Sequence, residues 1–104
     1  MSDTQENIQT NTQAQNKNSL FIWYHAAPDS VPLIKQWLEH LFQTTGIHGS
    51  LFVRHTDAKS TFMETYENIG YEALKKIEIL AAKQPYFETI QRQCESFEKI
   101  HPSE

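Results

Sequence analysis

Polar and apolar positions sort by parity through SLFIWYHA (19–26). Leu20, Ile22 and Tyr24 fall on one parity, and Phe21, Trp23 and His25 on the other. Aromatic and β-branched residues in this pattern predict a strand, and two largely apolar faces predict cover on both sides. The period then changes. Ile34, Trp37, Leu38, Leu41 and Phe42 recur at i, i+3, i+4, i+7 and i+8, with Lys35, Gln36, Glu39, His40 and Gln43 mostly outside that set. This is the single apolar stripe of an amphipathic helix. APDSVP ahead of it ends the strand. Asp29 or Ser30 is the expected cap, Pro32 is tolerated in the first turn, and Gly46 suits a left-handed C-terminal position.

Alternation returns in GSLFVRHT (49–56) and TFMETYEN (61–68), with DAKS as a four-residue turn, which predicts a hairpin. YEALKKIEILAAKQ (71–84) reads as a second helix with Tyr71, Leu74, Ile77 and Ala81 inside, ended by Pro85. RQCESFEKI (92–100) reads as an edge-like fourth strand, with a helix as the competing reading because Glu, Gln and Lys favour helices. The order β-α-β-β-α-β predicts an α+β, ferredoxin-like fold: a four-stranded antiparallel sheet with both helices on one face. Phe21, Trp23, Phe62 and Tyr66 are then expected on the face the helices leave open. A second copy of the chain, sheet against sheet, would cover them.

Composition narrows the setting. Residues 1–18 are almost all Gln, Asn, Thr and small polar residues, with Ile8 as the one large apolar side chain after Met1, and are expected to form a disordered tail ahead of a single domain at 19–104. Aromatic residues make up 12% of the chain and all lie after residue 20, enough to fill a small core and an interface. A net charge of −4 without a basic run argues against nucleic acid as a partner. No segment reads as membrane-spanning or as a signal peptide. Cys94 is the single cysteine, so no intramolecular disulfide forms, which fits a cytoplasmic setting.

TFMETYE, together with LFIWYHA, the Gly46 and Leu51 region and ESF near the end, resembles an uncharacterised bacterial domain-of-unknown-function family. That family belongs to the dimeric α/β-barrel, antibiotic-biosynthesis-monooxygenase-like superfamily. Its strand motif reads Thr-Trp-Met-Glu-x-Tyr, and Phe62 stands here where Trp is usual. The resemblance covers about residues 19–98. It implies the fold and a homodimer whose two sheets close a barrel around a lumen, and it implies no reaction. Ile77 and Tyr86 occupy positions where monooxygenase-like members carry histidines, so oxygenase chemistry does not carry across.

The chemistry to weigh centres on Glu64, which alternates with Phe62 and Tyr66. In an enclosed apolar space its charged form is disfavoured, which suits a general acid or base. The plainer reading is an ion pair that fixes register or the dimer. With the four-residue turn, His55 lies across from Phe62 as a diagonal neighbour of Glu64, and Arg54 lies on the other face. A one-residue slip would exchange Arg54 and His55. His25 on the first strand is a third candidate. The catalytic candidates are thus Glu64, His55 and His25, and the ligand-binding candidates are Trp23, Phe62, Tyr66 and Arg54. Trp37 is expected in the core and Cys94 as a buried small residue. The five histidines have no metal-ligand spacing and the three glycines form no phosphate loop, so no metal or cofactor is expected.

Two functions remain open. One is a small-ligand protein holding an apolar or aromatic compound in the barrel, with or without cofactor-independent catalysis at Glu64. The other is a non-catalytic interaction or regulatory module in which the same residues hold the dimer. A cavity lined by Trp23, Phe62, Glu64 and Tyr66 would favour the first, and a solidly packed space the second.

Overall fold

The computed structural model describes residues 18–56 and 59–100. Strands β1 (Asn18–Ala26), β2 (Ser50–His55), β3 (Ser60–Ile69) and β4 (Gln93–Glu98) and helices α1 (Val31–Thr45) and α2 (Tyr71–Ala82) run in the order β1-α1-β2-β3-α2-β4. The strands form one antiparallel sheet, ordered β2-β3-β1-β4. The architecture is α+β and ferredoxin-like. The polar segment expected as a tail lies outside the described residues up to position 17, and Asn18 already belongs to β1. No described helix is long and apolar enough to cross a membrane.

Local signals account for most boundaries. Ser30 stands at the N-cap of α1 without a side-chain cap; the single 3-10 turn Pro28–Ser30 feeds the chain into the helix instead, its Ser30 amide donating to the Ala27 carbonyl at 3.0 Å. Gly46 ends α1 at φ 80°, the left-handed geometry that costs glycine least, and its amide donates to the Phe42 carbonyl at 2.8 Å. The second helix stops at Ala82, two residues before its expected end, and Pro85 opens a 3-10 turn through Phe87.

The hairpin closes tighter than expected. Thr56 donates its amide to the Lys59 carbonyl at 2.9 Å, around residues 57 and 58, which lie outside the described residues. His55 therefore pairs with Ser60, Val53 with Phe62 and Leu51 with Glu64. This register is displaced by two residues from the expected one. A two-residue displacement keeps every side chain on its face.

Strand pairing decides which parity meets the helices. Leu20, Ile22 and Tyr24 pair with Tyr66, Glu64 and Phe62. Together with Ser60, these residues are buried beneath Ile34, Trp37 and Leu41 of α1, Ile77 and Ala81 of α2, and Phe87. Phe62 and Tyr66 therefore belong to the core between sheet and helices, and not to the open face where they were expected. The opposite parity of β3 (Thr61, Met63, Thr65) is less apolar, so burying Phe62 and Tyr66 removes more apolar surface from water. Tyr71 also departs from expectation at 64% exposed, because the first turn of α2 overhangs the end of the sheet beside Asn18 and Ile69.

The other face carries Phe21, Trp23, Met63, Phe52 and Phe97. Of these, Phe52 and Phe97 are 58% and 53% exposed. No described helix covers this face, since α1 and α2 both pack on the other.

Gly49, between α1 and β2, is required by close approach. A methyl group there would overlap the Tyr66 ring, with Cζ at 2.9 Å, and crowd Leu38 Cδ2 at 3.1 Å. Because the Tyr66 ring is tethered through its hydroxyl, described below, it cannot swing aside. Gly49→Ala is expected to lower unfolding free energy by about 1–3 kcal/mol, read from a denaturant titration. An unchanged midpoint would show that the ring can move.

Candidate functional site

Glu64 sits in the middle of β3 on the helix-facing parity and has no exposed surface. Donors reach it from β1, β3, α1 and the residue before β4. Tyr24 of β1 donates its hydroxyl to Oε2 at 2.6 Å, and Tyr66, two residues along β3, donates to Oε1 at 2.6 Å. Trp37 reaches down from α1 and donates Nε1–H to Oε1 at 3.1 Å. Arg92, the residue before β4, spans both oxygens, with Nη1 at 2.7 Å from Oε2 and Nη2 at 3.3 Å from Oε1. Five hydrogen bonds converge on a group with about four lone-pair positions, so its accepting capacity is filled.

The guanidinium is itself enclosed. Its carbon lies 4.3 Å from the Phe87 ring centroid, 5.3 Å from that of Tyr24 and 5.6 Å from that of Trp37. Aromatic faces on three sides favour the cation and shield the pair from water. Burial works against the charge of Arg92, but the Glu64 carboxylate outweighs it and holds the guanidinium above its ordinary range. Burial, then the charge and hydrogen bond of Glu64, push both Tyr24 and Tyr66 far above the usual phenol range. The cluster therefore keeps both phenols protonated as donors.

The residues singled out from the sequence divide. Glu64, Phe62 and Tyr66 come together, but in a packed core. Trp23 lies on the opposite face of the sheet, since Ile22 and Tyr24 occupy the helix side. His25 is on that open face too, exposed, with Nδ1 3.1 Å from Thr61 Oγ1. His55 shares the face of Glu64 but pairs with Ser60, four residues away along β3, a distance of about 13 Å. Its Nδ1 meets Ser60 Oγ at 2.5 Å. Arg54 is exposed on the open face. Among the described residues no histidine reaches Glu64, and the expected lining of Trp23 with Phe62, Glu64 and Tyr66 does not form. Cys94, expected to be buried, is exposed on the edge strand β4, where it lines a pocket of about 230 Å³ with Glu78, Ala81 and Ala82 of α2. Among the described residues no group of three His, Cys, Asp or Glu side chains converges as metal ligands.

Three participants escaped the sequence reading: Tyr24, Trp37 and Arg92. Tyr24 and Trp37 carried a usable signal, because a buried phenol or indole needs a polar partner and Glu64 was the one acid of an apolar parity. Arg92 carried none, since its place depends on how the chain returns from α2 to β4.

No family model and no curated protein matches the chain. Among solved structures, a de novo designed protein, Foldit4, is similar in fold with a TM-score of 0.66. The match covers 81% of this chain and 99% of that one at 7% sequence identity. At that identity the likeness concerns architecture alone.

Proposed function

We propose that this protein is a non-catalytic, self-associating interaction module whose working surface is the open face of its sheet. The observation that carries the reading is the pairing of two facts. The one acidic group expected to do chemistry is sealed and saturated in the core. The aromatic residues left over, Phe21, Trp23, Phe52 and Phe97 with Met63, form one continuous uncovered surface. Glu64 then fixes how β1, β3, α1 and the approach to β4 assemble, and a second copy covers the other face. The resemblance of TFMETYE to small dimeric barrel proteins points the same way.

Sedimentation equilibrium of the full chain is expected to give a dimer at micromolar concentration. Phe52→Asp, which sets a charge against the apolar patch from the outer strand β2, is expected to give a monomer with an unchanged far-UV spectrum. A wild-type monomer under the same conditions removes the proposal. The small-ligand reading retains one observation: a pocket of about 380 Å³ on the open face, lined by Phe21, Phe52, Met63 and Thr65. Native mass spectrometry of protein purified from its host is expected to show the bare dimer mass. A retained compound would favour the ligand reading.

A further inference from the structure

The open face carries an arginine and a glutamate on its two outer strands, diagonally opposed. Arg54 lies on the outer strand β2 at the level of Thr61 and His25. Glu95 lies on the other outer strand, β4, at the level of Phe21. The two are three strand spacings apart, about 14 Å across the sheet, and four residues apart along it, about 13 Å. Their midpoint falls between β3 and β1 at the paired residues Met63 and Trp23, the centre of the aromatic surface.

A two-fold axis lying in the interface and passing through that midpoint, perpendicular to the Arg54–Glu95 line, exchanges the two corners. One rotation therefore brings each Arg54 over the partner's Glu95 and each Met63–Trp23 pair over its own copy. Because the two separations are nearly equal, the axis runs at about 45° to the strands, and the sheets cross at roughly a right angle, one of the two packings that sheets adopt. The same operation moves Phe52 from about 7 Å to one side of the centre to about 7 Å along the strands, between Thr65 and Phe21. That spot is concave: the 380 Å³ pocket opens there, with Phe21, Met63 and Thr65 in its walls.

We infer, resting on the dimer reading above, that the homodimer is an orthogonal sheet-to-sheet pair. In it Arg54 meets the partner's Glu95 and Phe52 fills the pocket beside the partner's Phe21. The other acid on this face, Glu67 of β3, lines the same pocket. Pairing Arg54 with it would move the axis toward β2 and leave Trp23 and Phe97 uncovered. The occupant of the pocket is thus a ring of the second copy.

The test is a charge-exchange cycle on the full chain, with dimer dissociation constants from sedimentation. R54E and E95R are each expected to weaken the dimer by about tenfold or more at about 0.15 M salt. R54E/E95R is expected to recover to within about threefold of wild type, whereas R54E/E67R stays weak. Far-UV spectra report whether each variant folds; if R54E does not, the cycle R54A, E95A, R54A/E95A reads the same coupling. A wild-type dimer whose Arg54 and Glu95 changes are simply additive, or one rescued by E67R, overturns this packing while leaving the dimer standing. A monomeric wild type overturns both.

Discussion

Arg92→Met is expected to remove a large share of the stability of the fold. The substitution keeps the apolar stem among Phe87, Tyr24 and Trp37 but takes the cation from a carboxylate that has no exposed surface. Breaking a buried pair from one side costs about 3–5 kcal/mol, because the remaining charge is left in a poorly solvating interior. Domains have about 0.05–0.15 kcal/mol of stability per residue, so one of this size has roughly 4–12 kcal/mol in all. Equilibrium urea unfolding is the measurement, and a loss below about 1 kcal/mol would mean that water or another cation replaces the guanidinium. Glu64→Gln belongs to the same experiment. An amide would aim N–H groups at hydroxyl, indole or guanidinium donors, so this substitution is also expected to destabilise. It would leave no separate ligand or turnover effect to observe. Replacing the pair outright, Glu64→Leu with Arg92→Met, is not expected to restore wild-type stability. The hydroxyls of Tyr24 and Tyr66 and the indole N–H of Trp37 would still lose their acceptor.

The second large effect is alkaline. Both core phenols are held protonated far above their ordinary range by burial and by the Glu64 carboxylate. In the unfolded chain each titrates near about 10. Above that pH the unfolded state loses two protons that the native state keeps, so it binds fewer protons and unfolding free energy falls as pH rises. The sign is that of groups with raised native pKa values: their contribution is complete below the unfolded pKa and declines above it. Two protons give a slope of about −2.7 kcal/mol per pH unit once both unfolded phenols are ionised. Tyr24→Phe or Tyr66→Phe is expected to halve this slope while lowering stability at neutral pH. Ultraviolet absorbance, compared between wild type and the two Phe variants, should show that Tyr24 and Tyr66 ionise only as the chain unfolds. Ionisation of both before any loss of helix signal would contradict the closed cluster.

Both effects arise where the sequence reading was half right. The alternation of Phe62, Glu64 and Tyr66 was legible, and so was the oddity of an acid among rings. Which side of the sheet that parity faces was harder to read, although a clue was present. Thr61, Met63 and Thr65 form the more polar parity of β3, and the helix-covered side takes the more apolar one. The hairpin register was missed by two residues because turn length is set at positions 56–59, where no Asn-Gly or Asp-Gly pair marks a two-residue loop. A four-residue turn would set His55 diagonal to Glu64; the two-residue loop sets it one full pair further away.

Local pattern sets the first three strands, both helices and their order, because the periods of two and 3.6 and the punctuation by Pro28, Gly46 and Pro85 are local properties of the chain; the fourth strand, open to a helical reading from its Glu, Gln and Lys, is settled by its pairing with β1. The sequence by itself also determined that one face of the sheet would lack cover, since two helices on one side leave aromatic residues of β1 without a layer. The environment of Glu64, by contrast, comes from long-range contacts. Its partners come from positions 24, 37, 66 and 92, and three of those four are separated from it by 27 to 40 residues. Their convergence depends on strand pairing, helix placement and the return from α2 to β4. No local pattern encodes the meeting of four donors on one carboxylate, because each reaches it along a different element.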